Sequence, residues 1–191
     1  MKRPFSIVAS VLVFLSLTSS VGATTARFLS RPDMVKESDL IVLGRVVETR
    51  SVWIDRDLVT LATIEVSETF KGGPVSRVTV TLPGGIDANR KFPIAMTWPG
   101  APRLEVREEA VVFLTGEGDG YQIAGFSQGK FSVSTGSDGR KSVGRDLRQL
   151  TLRGESGDAA GTQSSEDLAS FRAEIRRLIA AQRLETSGRE K

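Results

Sequence analysis

A chain of 191 residues with neither cysteine nor histidine has room for one sizeable domain. It has no means to build a disulfide framework, Ser-His-Asp or Cys-His catalysis, or a zinc site of ordinary ligand type. The formal charge of +3 rests partly on Lys2 and Arg3; without them the 26 basic side chains fall to 24 against 23 acidic ones, a formal +1, which is not the balance of a protein that seeks nucleic acid.

The chain opens with the order of a secretory signal peptide: Lys2 and Arg3, an apolar run over residues 5–17, and the small residues Val21-Gly22-Ala23. The apolar run is about 13 residues long, short of the roughly 20 that a spanning helix needs. The expectation is therefore an exported protein, secreted or periplasmic, with residues 1–23 removed and no membrane attachment afterwards. No cysteine follows the cleavage site, so lipid attachment of the bacterial lipoprotein kind is excluded.

Ser30, Pro32 and Asp33 are the start signals of a short helix reaching Ser38, with Ser30 as cap and Met34 and Val35 as apolar contacts. Residues 40–47, LIVLGRVV, have strand length without clean alternation, so both faces are expected to be covered, and Gly44 marks a bulge or a close crossing. Residues 49–57 read as a polar connection carrying Trp53. The clearest signal follows over residues 58–85. Leu58, Ala62, Ile64, Val66 and Phe70 fall on one face of a first strand, and Val78, Val80 and Leu82 on one face of a second. Lys71-Gly72-Gly73-Pro74 makes the turn between them.

Pro83-Gly84-Gly85 ends the second strand. Beyond it an irregular stretch contains a short edge strand within residues 90–96, interrupted by Pro93, and the turn TWPGAP over residues 97–102. Residues 110–114 are a short buried strand, with further strands over 121–126 and 131–133. Six or seven short strands at such spacing predict an antiparallel sandwich or barrel. Residues 153–165, rich in Gly, Ser, Asp and Ala, read as a flexible linker. The last element is an amphipathic helix over 166–183, capped by Ser164 or Ser165, with Glu166 and Asp167 in its first turn and Leu168, Phe171, Ile175, Leu178 and Ile179 in one stripe.

The steps SDLIVLGRVVET, TIEVSETFKG, RVTVTLPGG and QGKFSV, spread over about residues 34–133, resemble the layout of a netrin-type module, the OB-like barrel also used by tissue inhibitors of metalloproteinases. They are more similar still to exported bacterial proteins of unknown function that carry such steps. The resemblance implies a mainly β fold: an OB-like antiparallel barrel over residues 24–152, with the short amino-terminal helix and the carboxy-terminal helix attached. It also implies, as a second reading, a regulator or inhibitor of an extracellular protease. The animal inhibitors reach the protease zinc through an amino-terminal cysteine, which this chain lacks.

The chemistry left to such a chain is narrow. Glu105, Glu108 and Glu109 are the one candidate for paired-carboxylate hydrolysis, and solvated turn charges explain them better. Asp119, in Gly-Glu-Gly-Asp-Gly, lacks the spaced oxygen ligands of a calcium loop. The glycine pairs at 72–73 and 84–85 precede no helix and carry no phosphate-binding Lys-Ser/Thr, so they are turn glycines. The basic run Arg140, Lys141, Arg145, Arg148 and Arg153 has no interleaved aromatics to stack bases. Trp98, with Pro99 beside it, is balanced between recognition and closing a barrel end, whereas Trp53 is expected to plug one. The reading is a non-enzymatic binding module with no cofactor and no metal. Trp98, Pro99 and Trp53 are its candidate partner-binding residues.

Overall fold

The structure is a computed structural model describing residues 24–116, 120–147, 150–153 and 165–189. Its centre is an antiparallel pair of long strands, β2 (Leu40–Ile54) and β3 (Asp57–Lys71), joined by a two-residue turn in which Asp55 has a φ of 54°. β1 (Thr24–Arg27) and α1 (Arg31–Glu37) precede them. After them come β4 (Arg77–Pro83), β5 (Gly85–Asp87), β6 (Ile94–Met96), β7 (Glu109–Thr115), β8 (Gln122–Ile123), β9 (Lys130–Thr135), β10 (Lys141–Gly144), β11 (Leu150–Arg153), β12 (Ser165–Asp167) and α2 (Leu168–Arg189).

The main sheet is antiparallel throughout, ordered β12-β10-β9-β7-β2-β3-β4, with β8 also paired to β7. β5 and β6 form a separate hairpin, and β1 runs parallel to β11. The fold is thus mainly β, with helices at both expected places. Among the described residues the sheet does not close on itself by a ladder: β4 meets the residue before β8 through an isolated bridge, Val80 with Tyr121, where Thr81 N–H donates to Tyr121 O at 2.8 Å.

Two cores share this one sheet, because apolar residues fill both of its faces. On one face Leu43, Val111, Phe113, Phe131 and Val143 pack against Met34 and Val35 of α1 and Leu168, Phe171, Ile175 and Ile179 of α2. On the other, Val42, Val46, Ala62, Ile64, Val80 and Val112 pack with Leu104 and Ile123. Ile64, Val78, Val80, Val112 and Phe113, expected in the core, are buried there, and Val66 is partly buried. Phe70 departs from the expected face. Ser67, an extra residue of β3 opposite the Leu43/Gly44 step of β2, reverses the alternation, and Phe70, itself extra opposite the Ile41/Val42 step, joins the helix-side core.

The steps TIEVSETFKG and QGKFSV have structural explanations. Phe70 is buried, and Lys71 Nζ donates to Val35 O at 2.7 Å, tying the end of α1 to the sheet. Burial holds the Lys71 ammonium below its ordinary pKa, against the pull of Asp39. Gln128, fully buried, accepts from Leu29 N–H at 2.8 Å through Oε1 and donates through Nε2 to Arg27 O and Gly125 O, so one side chain clasps the segment after β1. Lys130 pairs with Glu108 at 2.5 Å, and Phe131 enters the core.

Three expected boundaries are corrected. β2 runs on to Ile54, so Trp53 lies in a strand and not in a polar connection. Glu166 and Asp167 belong to β12; the helix begins at Leu168 and runs to Arg189, beyond the expected 183. Its cap is Asp167, whose carboxylate accepts from Ser170 N–H at 3.0 Å, in place of Ser164 or Ser165. At the ends of the expected linker, Arg153 lies in β11 and Ser165 in β12. Residues 154–164 between them lie outside the described residues, as do residues 1–23.

Candidate functional site

The site is built from the step that ends β4. Pro83 still pairs with Val59, but Gly84 turns the chain away with a φ of 88°, a value that favours glycine. Its N–H donates to Leu58 O at 3.0 Å, and a side chain there would meet Met96 O at 2.6 Å. The chain therefore leaves the sheet as the β5–β6 hairpin, which lies against the β2–β3 hairpin. Ile86 N–H donates to Ser51 Oγ at 2.9 Å and Leu58 N–H to Met96 Sδ at 3.4 Å. The chain then returns through the tight turn at Trp98, where Ala101 N–H donates to Trp98 O at 3.0 Å, and Pro102 and Leu104 are buried beneath it.

Between the hairpin and this returning loop lies a groove of about 310 Å³, lined by Leu82, Ile86, Met96, Trp98, Pro102 and Leu104 among others, with Arg103 and Glu105 also along its walls. A second hollow of about 270 Å³ shares Pro83 and Pro102 with it and reaches Ile123 and Phe126. Trp98 is 51% exposed and Ile86 63% exposed at the groove. A concave, mainly apolar surface with a few polar groups at its walls has the composition of a binding cleft. The sequence pointed to Trp98 but not to Ile86, Met96 or Leu104, which carry no periodic signal. Their only mark was being apolar among turn formers. Pro99, beside Trp98, is exposed and does not line the groove.

Trp53 is not a plug. It stands 37% exposed near the tip of the β2–β3 hairpin and belongs to neither core. Its indole N–H donates to Asp87 Oδ2 at 2.7 Å, and the Arg90 guanidinium lies over its ring at 5.2 Å while pairing with Asp87 at 2.8 Å. The Trp53 and then the Arg90 hydrogen bonds hold the Asp87 carboxyl below its ordinary pKa.

The other candidates disperse. Glu108 pairs with Lys130 and accepts from Ser132 Oγ at 2.8 Å; Glu109 pairs with Lys141 at 2.7 Å and lies 3.7 Å from Arg45. Glu105 lies along the groove. The carboxylates of Glu108 and Glu109 are thus engaged by neighbouring side chains, and Glu105 N–H donates to Glu108 Oε2 at 3.1 Å. The basic run is likewise used within the fold: Lys141 on Glu109, Arg140 on Asp138, and Arg145 over the Phe131 ring at 5.2 Å. Burial, then the neighbouring Arg31 charge, lowers the Arg145 pKa. Arg153 pairs by its backbone with Arg27; Arg148 and Asp119 lie outside the described residues. Among the described residues no cluster of three acids is placed to hold a metal, and no helix is long and apolar enough to cross a membrane. Comparison with known protein families, characterised proteins and solved structures finds no match to this chain.

Proposed function

We propose that the chain is an exported, non-enzymatic binding module on an OB-like barrel, and that the groove beside Trp98 receives an apolar side chain of a protein partner outside the cytoplasm. The single observation that carries this reading is a half-exposed tryptophan at a preformed apolar groove of about 310 Å³. Tryptophan supplies large contact area with few rotatable bonds, which is why it dominates binding hot spots. The barrel reading is supported by β2, β3, β4, β8 and β7, which come round to one another at the Val80–Tyr121 bridge. Export is supported by the order of charged, apolar and small residues at the start of the sequence.

The test is Trp98→Ala in an otherwise intact exported chain. Because the indole is half in solvent, the melting temperature should move by no more than about 2 °C, as expected of a surface substitution. Proteins that the wild type captures from the extracellular or periplasmic fraction should be lost. A variant that captures the same proteins as the wild type overturns the assignment of the groove.

A further inference from the structure

We propose that the adjoining tips of the β2–β3 and β5–β6 hairpins are the contact through which two copies of this chain pair. Three large apolar side chains stand there in water: Trp53 at 37% exposure, Ile54 at 50% and Phe92 at 76%. Trp53 does not flop. Its hydrogen bond to Asp87 and the Arg90 guanidinium over its ring join the two hairpins, so the aromatic is already in place before any partner arrives. A preordered aromatic loses little entropy on binding, and Trp and Arg are the residues that hot spots favour.

The charges around these side chains select the occupant. Asp55, Arg56 and Asp57 lie in or beside the β2–β3 turn, Arg50 lies further down β2, and the Lys91 ammonium sits 5.8 Å from the centre of the Phe92 ring. None of these five charges makes an ion pair with a described residue; those of Asp87 and Arg90 are spent on each other. The surface is therefore apolar at its centre and carries unpaired charges of both signs around it. A polyanion or an anionic membrane would meet repulsion from Asp55 and Asp57 along with attraction from the cations. A second copy related by a two-fold axis brings the same set in reverse order, so acids of one copy can face bases of the other, and Ile54 and Phe92 leave water together. This surface lies beside the groove and does not depend on the groove's assignment.

Sedimentation of the chain, purified in its exported form, tests the pairing over about 5 to 200 µM, the range in which a contact of micromolar affinity fills. The wild type should pass from monomer to dimer within it. The double variant Ile54→Ser/Phe92→Ser should remain monomeric throughout and should melt with the wild-type monomer when both are measured below the pairing range, because both side chains stand largely in solvent there. Arg56→Asp with Lys91→Asp should raise the dissociation constant at least about tenfold, since it makes the rim one-signed. A wild type that stays monomeric at the top of the range overturns the proposal. So does a dimer that survives the double serine variant. Binding of the monomer to vesicles containing phosphatidylglycerol, lost on Phe92→Ser, would also overturn it and make the same surface a membrane contact. None of these outcomes touches the Trp98 capture experiment, so the two readings fail separately.

Discussion

A methyl group added at Gly44 would lie 2.4 Å from Glu65 O and 2.6 Å from Ile64 Cγ2. Neither neighbour has room to move: Glu65 O is backbone of the adjacent strand, and Ile64 is buried in the second core. Gly44→Ala should therefore destabilise by about 1–3 kcal/mol, the usual cost of overpacking, read as a lower denaturant midpoint at unchanged slope. An unchanged midpoint would mean that β2 and β3 do not approach as closely as described. Gly44 was legible as a bulge or close crossing, because glycine inside a strand pattern signals one. Gln128 was visible only as part of the step QGKFSV. A buried side-chain amide that clasps Arg27 O, Gly125 O and Leu29 N–H has no sequence pattern of its own, since its partners lie about a hundred residues away or at a turn.

The elements show what periodicity measures. β2 alternates or is buried on both faces as far as Val46, then becomes mixed and exposed to Ile54, because that end of the β2–β3 hairpin projects beyond the cores. The sequence reads it as a connection for that reason: alternation reports burial, not hydrogen bonding. Short strands such as β10, β11 and β12 escape for a related reason, being three or four residues long. The start of α2 was misplaced by two or three residues because several Ser and Asp side chains compete for the cap. The observed cap gives a pH test. The Ser170 backbone hydrogen bond holds the Asp167 carboxyl below its ordinary pKa. A group whose folded pKa is depressed adds stability that is present above its unfolded pKa and lost as pH falls through the folded one. Asp167→Asn keeps an acceptor at the cap and removes the charge. The wild type should melt above the variant at neutral pH, and the gap should shrink steadily as the solution is acidified below about pH 4, where free aspartate titrates. A gap that is constant with pH would place the effect outside the carboxylate.

At the scale of the molecule, α2 is a wall of the larger core and not an appended tail. Phe171 sits with ring centroids 4.9 Å from Phe131 and 6.5 Å from Phe113, and Leu168, Ile175 and Ile179 are buried beside it. Charges hold both sides of the helix. Arg31 of α1 pairs with Glu166 and Glu174 and lies over the Phe171 ring at 4.9 Å, while Glu68 of β3 pairs with Arg172 at 2.9 Å and Arg176 at 2.6 Å. These pairs are partly exposed, so each is worth no more than about 1 kcal/mol. The apolar burial decides: four such side chains at roughly 1.5–3 kcal/mol each amount to about 6–12 kcal/mol as an upper figure. That is comparable with the entire stability of an ordinary domain, about 5–15 kcal/mol. The apolar stripe was legible in the sequence. Its receiving surface was not, because Leu43, Val111, Phe131 and Val143 come from four separate strands whose order no local pattern gives. Truncation after Arg153 should therefore abolish cooperative melting and leave a chain that binds hydrophobic dyes. Phe171→Ala should stay folded but lose about 3–5 kcal/mol, the ordinary cost of emptying a buried phenylalanine site. A truncated chain that melts cooperatively at the wild-type temperature would show that the sheet completes its core without the helix.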